Sequence, residues 1–155
     1  MKKNSIACEF YSLSFSELSD SQQRLVEAAK IATNRSYSPY SHFSVGAAVL
    51  LDNDVVITGT NQENAAYPSG LCAERTAMFY ANSQYPDSAP VAIAIAAFTD
   101  GHFTENPITP CGSCRQVLVE SEKRFKRPIE IILYGDKHII LVKDVSAMLP
   151  LSFEF

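Results

Sequence analysis

Two features are missing from this sequence: a concentrated run of basic residues and a long apolar run. The 155 residues include 13 basic and 17 acidic side chains, for a net charge of −4. Proteins that bind DNA or RNA normally carry a concentrated basic surface, and here Lys and Arg cluster only at positions 123–127. No stretch approaches the roughly 18 apolar residues of a membrane-spanning helix. We therefore expect a free small molecule as the substrate, and neither nucleic acid nor membrane as a partner.

The pattern of a secretion signal is also missing. Lys2 and Lys3 could begin one, but Glu9, Glu17 and several serines interrupt the apolar core that a signal peptide requires. Cysteines in reducing compartments stay as free thiols that can bind a metal. We therefore expect a cytoplasmic protein. Its composition, 46% hydrophobic and 19% charged, is typical of one ordinary globular domain.

Three cysteines and one glutamate carry most of the chemical information. Cys72 lies two residues before Glu74, and Cys111 and Cys114 form a Cys-x-x-Cys pair. The pair alone is also compatible with a structural zinc knuckle or a redox dithiol. A structural zinc needs a fourth protein ligand, whereas a catalytic zinc has three and leaves one position to water. The three histidines lie in unpaired contexts, so the pattern predicts one catalytic Zn²⁺ per chain, with Glu74 as a general acid and base.

Hydrophobic periodicity predicts an α/β fold, a three-layer α/β/α sandwich with a five-stranded mixed sheet. The first helix begins near Ser19–Asp20, further helices cover 72–81 and 112–123, and a short one covers 144–148. The strands are predicted over 43–51, 55–60, 91–97, 129–134 and 138–142. Residues 1–17 lack periodicity and form an N-terminal extension before a catalytic domain over 18–155. Both cysteine motifs then lie at helix N-termini, where the helix dipole favours thiolate over thiol.

The motifs and their order resemble the small homotetrameric cytidine deaminases that hold zinc with three cysteines. The Cys-Ala-Glu and Pro-Cys-x-x-Cys elements match the general zinc deaminase signature. Further segments similar to this family lie at 37–48, 61–67, 111–116 and 149–153, so that the resemblance covers roughly residues 20–153. One departure is the segment 82–109, which is longer than in typical members.

The resemblance implies a reaction. Cytidine and 2′-deoxycytidine are hydrolysed to uridine and 2′-deoxyuridine plus ammonia, a step of pyrimidine salvage, with Glu74 moving the protons. The arginine after the catalytic glutamate is Arg75, and it donates hydrogen bonds to the thiolate sulfurs in this family. Arg115, next to Cys114, is a second candidate donor.

The resemblance also implies a substrate site that is shared between the subunits of a homotetramer. Asn61 and Glu63 bind the ribose, chiefly at its 3′-hydroxyl, and backbone groups from Ala65 to Tyr67 add contacts. Phe43 packs against the base. Phe153 closes the pocket of a neighbouring subunit, and Phe155 is an alternative for this role.

The sequence is less consistent with three other functions. Deaminases of cytosine-containing antibiotics resemble this chain in the zinc motifs but lack the Asn-x-Glu-Asn segment that is present at 61–64. Deamination of RNA or DNA is disfavoured by the acidic charge balance and the small size. A zinc ion that only stabilises an interaction module would leave Glu74 without a role.

Overall fold

A computed structural model describes residues 1–153 of the chain. The helices are α1 (Asp20–Ala32), α2 (Ala73–Gln84) and α3 (Gly112–Phe125), and short 3₁₀ helices span Phe15–Glu17, Thr33–Arg35, Tyr67–Ser69 and Val145–Met148. The strands are β1 (Tyr11–Leu13), β2 (Ser44–Leu51), β3 (Val56–Thr60), β4 (Pro90–Thr99), β5 (His102–Phe103), β6 (Glu130–Tyr134) and β7 (Ile139–Val142). Within these described residues, none of the helices combines the length and apolarity needed to cross a membrane.

The strands form one mixed sheet in the order β1-β7-β6-β4-β2-β3, with β5 paired to β4. The β4–β6 pair is parallel and the other pairs are antiparallel. All five predicted strands are present, but the predicted count of five is wrong because β1 and β5 join them. These two strands have only three and two residues. Such lengths are too short for an alternating pattern to be recognised.

Two apolar clusters use alternate residues of the central strand β4. Ile93 and Ile95 pack with residues of α2 and α3, whereas Ala92, Ala94 and Ala96 pack with residues of α1. Both sets are buried, as expected for a continuous apolar strand that is covered on both faces. The strand prediction at 91–97 is thus confirmed, and the strand extends it to Pro90–Thr99.

The helix that carries Cys72 is held close to the sheet by a glycine in β3. A Cβ atom added at Gly59 would lie 2.4 Å from the backbone nitrogen of Ala77 and 2.6 Å from the carbonyl oxygen of Ala73. Only glycine therefore allows α2 to approach β3 this closely. The contact positions the first turn of α2, and so it positions the residues of the first cysteine motif.

Candidate active site

The three cysteines come together where α2 and α3 begin. Cys72 and Cys111 are the residues that directly precede the two helices, and Cys114 lies in the first turn of α3. The Sγ atom of Cys111 is 3.8 Å from that of Cys72 and 3.5 Å from that of Cys114. All three sulfurs lie within 4.8 Å of one another. Tetrahedral zinc with Zn–S bonds of about 2.3 Å requires sulfurs about 3.8 Å apart, so the donor set fits one Zn²⁺.

The thiols and Arg75 influence one another electrostatically. Hydrogen bonding from Cys114 is the largest cause that lowers the pKa of Cys72 to about 5, and Arg75 contributes to the shift. The guanidinium of Arg75 donates to Cys72 Sγ over 3.6 Å. The pairing with Cys72, followed by burial, raises the pKa of Cys114. One thiolate is therefore stabilised beside Arg75, and binding of a cation displaces the remaining thiol protons.

Glu74 lies in the first turn of α2, two residues after Cys72. Its side chain is only 5% exposed. Burial is the largest cause that raises the pKa of Glu74, and the negative charge of Cys72 adds to it. A buried carboxyl beside the sulfurs has the position and the proton affinity of a general acid and base. That role stays a prediction.

A cavity of about 550 Å³ opens beside Cys72 and Arg75. Its other lining residues come from two segments and are Tyr40, Ser41, Asn61, Gln62, Glu63, Asn64, Tyr67, Gly70 and Leu71. The fold thus brings three of the predicted substrate-binding residues, Asn61, Glu63 and Tyr67, into one cavity with Cys72. Of the described residues, Phe43, Ala65 and Phe153 were also predicted to contact substrate, and they do not line this cavity. Phe155 lies outside the described residues.

The side chain of Asn61 is engaged by the loop that leads into β2. Its Oδ1 atom accepts hydrogen bonds from Ser36 Oγ at 2.6 Å and from the backbone N–H of Val45 at 2.8 Å. Its Nδ2 atom donates to the carbonyl oxygen of Phe43 at 2.8 Å. Asn61 therefore holds both ends of the loop that carries Phe43.

The Glu63 carboxylate is engaged by the middle of the same loop. Its Oε2 atom accepts from the backbone N–H groups of Tyr40 at 2.9 Å and Ser41 at 3.3 Å, and its Oε1 atom accepts from the Ser41 hydroxyl. The Ser41 hydroxyl is the largest cause that lowers the pKa of Glu63. Sequence reasoning did not single out Ser41, and the only signal for it was its place in the segment 37–48.

Arg115 was predicted as a second candidate donor to the cysteine sulfurs, but its guanidinium binds backbone carbonyl groups. Its guanidinium donates to the carbonyl oxygens of Pro110 at 2.8 Å and Met148 at 2.9 Å. The next residue, Gln116, donates to the carbonyl oxygen of Phe153 at 3.0 Å. These bonds fasten the C-terminal segment to the start of α3 and to the residue before Cys111. Arg115 thus supports the metal centre through the backbone.

Comparison with known proteins points to one family. A family model for the cytidine and deoxycytidylate deaminase zinc-binding region matches residues 19–127. The cytidine deaminase of Halalkalibacterium halodurans is 46% identical over 99 residues, which cover 64% of this chain and 70% of that relative. The cytidine deaminase of Sporosarcina psychrophila is 44% identical over 98 residues, which cover 63% of this chain and 68% of that relative.

Comparison with solved structures indicates the same family. The crystal structure of cytidine deaminase from Burkholderia pseudomallei is 39% identical, has a TM-score of 0.71, and covers 84% of this chain and 97% of its own. The crystal structure of cytidine deaminase from Mycobacterium tuberculosis is 31% identical and has a TM-score of 0.68. The match covers 86% of this chain and 98% of that structure's chain. Because the family model spans both cysteine motifs and most of the sheet and helices described above, this chain belongs to the cytidine and deoxycytidylate deaminase family.

Proposed function

We propose that this enzyme catalyses the hydrolytic deamination of cytidine and 2′-deoxycytidine at its cysteine centre. The products are uridine or 2′-deoxyuridine and ammonia. One observation carries this proposal. The three sulfurs lie within 4.8 Å of one another, with two separations close to those of tetrahedral zinc, and the buried Glu74 lies in the first turn of α2, two residues after Cys72, which lines the cavity.

The chain's own residues hold the metal and move protons. A zinc ion held by Cys72, Cys111 and Cys114 supplies Lewis acidity that lowers the pKa of a water molecule. Glu74 accepts a proton from the attacking water and donates it to N3 of the cytosine ring. Glu74 then passes the second proton of that water to the amine that leaves C4 as ammonia. Arg75 offsets part of the surplus negative charge, since three thiolates and one Zn²⁺ sum to −1.

We propose that the nucleoside binds in the cavity beside Cys72. Glu63 and Asn61 bind the ribose, chiefly at the 3′-hydroxyl, and backbone groups from Ala65 to Tyr67 add hydrogen bonds. The support is that Asn61, Glu63 and Tyr67 line the cavity that reaches Cys72. Phe43 packs against the base, because Asn61 holds the Phe43 backbone at the edge of this site.

The test is the substitution Glu74→Gln, measured by the loss of cytidine absorbance and by zinc content per chain. Loss of a general acid and base lowers kcat by about 10²–10⁴-fold, whereas zinc content is expected to stay near one per chain. Glu120→Gln is the matched control, because Glu120 is an exposed glutamate of α3. Wild-type protein that lacks stoichiometric zinc, or full activity in Glu74→Gln, would contradict the proposal.

We also infer a homotetramer in which neighbouring subunits complete one another's sites. Several large apolar side chains of the described residues are exposed. Tyr67 is 79% exposed and Phe153 is 66% exposed, and Phe79 and Tyr80 of α2 are 47% and 55% exposed. Exposed apolar surface of this kind is typical of contacts between subunits.

Co-expression of Glu74→Gln with Phe153→Ala tests this arrangement. If Phe153 acts in the neighbouring site, mixed oligomers contain sites with both residues intact and are more active than either parent. A monomer in sedimentation would contradict it.

Two further properties of the protein follow by inference from the fold and the thiols. We infer a three-layer α/β/α arrangement, supported by the two apolar clusters that place α1 against one set of strand residues and α2 and α3 against the alternate set. We also infer a cytoplasmic location, supported by the need of three free thiolates for a reducing environment. Subcellular fractionation of the native host tests the location.

A further inference from the structure

We propose that Ser41 is a positioning residue for sugar recognition: its hydroxyl holds the Glu63 carboxylate in the orientation that receives the 3′-hydroxyl of the nucleoside. This inference rests on the proposed function, because it assigns Glu63 to the sugar. It adds a residue that neither the cysteine motifs nor the Asn-x-Glu-Asn segment contains. The residue acts through Glu63, without a contact of its own to the reacting atoms.

Among the described residues, the hydrogen bonds that Glu63 accepts leave one acceptor position open. Each carboxylate oxygen accepts about two hydrogen bonds. Oε2 accepts two, from the N–H groups of Tyr40 and Ser41. Oε1 accepts one, from the Ser41 hydroxyl. Oε1 is therefore the carboxylate atom with capacity for one further donor, and Glu63 lines the cavity beside Cys72.

The Ser41 hydroxyl also fixes the loop on its other side. Its oxygen accepts from the backbone N–H of Phe43 at 3.1 Å while its proton goes to Glu63. A hydroxyl can donate and accept at once, so one side chain sets the position of Glu63 relative to Phe43. Between them, His42 has a φ of 56°, a conformation that is uncommon for residues other than glycine.

The consequence of losing the hydroxyl is expected mainly at the sugar, because the backbone of Phe43 keeps its hydrogen bond from Asn61. Without the hydroxyl, Oε1 has no partner in the loop, and only the two backbone bonds to Oε2 hold the carboxylate, so the orientation of Oε1 must be fixed at the moment of binding, which costs entropy. A nucleoside without a 3′-hydroxyl makes no use of Oε1, so it does not experience this loss. Ser41 is exposed, and its replacement removes no core packing.

The experiment compares cytidine with 3′-deoxycytidine in the full-length zinc enzyme. Ser41→Ala is expected to lower kcat/KM for cytidine by about tenfold, the scale of one hydrogen bond to a charged group, mainly through KM. The value for 3′-deoxycytidine is expected to change little. Ser41→Thr restores the preference, and Ser41→Val, of the same shape as Thr, does not. Should Ser41→Ala fold poorly, the Thr and Val variants provide the same comparison.

The control is Ser21→Ala in α1. Ser21 is exposed and does not line the cavity that contains Glu63, so kcat/KM is expected to stay at the wild-type value for both nucleosides. An equal loss for both nucleosides in Ser41→Ala would overturn the proposal for Ser41 alone. A wild-type enzyme that treats the two nucleosides alike would overturn it by removing Glu63 from the sugar. An enzyme inactive on both would refute the proposed function itself.

Discussion

We propose that Arg75 offsets part of the negative charge at the sulfurs. Three thiolates give the centre a surplus of one negative charge when Zn²⁺ is bound, and Arg75 donates to Cys72 Sγ. Its Nε atom is buried and has no hydrogen-bond partner among the described residues. The hydrogen bond with Cys72 is the largest cause that raises the pKa of Arg75, as expected for a guanidinium that the neighbouring thiolates attract.

We predict that Arg75→Ala weakens zinc binding by about 10–100-fold, because donors to metal ligands contribute on this scale. Zinc affinity is measured by competition with a chelator of known strength, together with kcat for cytidine. Arg24→Ala serves as the control, since Arg24 is an exposed residue of α1. Unchanged zinc affinity in Arg75→Ala would remove Arg75 from the charge balance.

At the scale of elements, the active site depends on how closely α2 approaches β3. The first turn of α2 contains Glu74 and follows Cys72 directly, so a shift of this helix moves a ligand and the proposed acid together. α3 begins directly after Cys111, contains Cys114 and contacts α2. A tetrahedral site tolerates little change in sulfur separation, and the helix position is therefore a requirement for metal binding.

Gly59→Ala tests this requirement. The added Cβ would lie 2.4 Å from the backbone nitrogen of Ala77, so α2 must move. We expect the free energy of unfolding to fall by about 1–3 kcal/mol, as for other overpacked sites, and zinc content to fall as well. Urea unfolding and metal analysis measure the two effects. Val56→Ala is the control, because Val56 is an exposed residue of the same strand at 44%; a folded Gly59→Ala protein with full zinc would contradict the argument.

At the scale of the whole molecule, we propose that residues 1–17 are an extension and that the catalytic domain occupies 18–155. The core begins at Leu18, which is 4% exposed. Before it, β1 pairs with β7 at the edge of the sheet, and Leu13 and Phe15 are only partly buried against the core. The extension therefore adds one edge strand, and the cysteine motifs lie far along the chain from it.

We predict that deletion of residues 2–17 lowers stability but keeps activity. Partial burial of Leu13 and Phe15 contributes about 2 kcal/mol in total, which corresponds to a fall in Tm of about 4–8 °C for a chain of this length. Thermal unfolding, zinc content and cytidine turnover are measured on the shortened chain. Loss of zinc would show that the boundary at 17 is placed wrongly.

Residue types and local spacing were sufficient to predict the three ligands, the five longer strands and the helix starts at both cysteine motifs. Most of these features depend on neighbours within a few positions, such as the Cys72–Glu74 spacing or the apolar run at 91–97. The pairing of Cys72 with Cys111 across 39 positions was predicted from the number of ligands that a catalytic zinc requires. Only the tertiary structure shows which groups form hydrogen bonds with Asn61, Glu63 and Arg115. Ser41 meets Glu63 across 22 positions, and Arg115 meets Met148 across 33. Contacts at such separations follow from how elements pack, because no local pattern records which distant backbone group a polar side chain will reach.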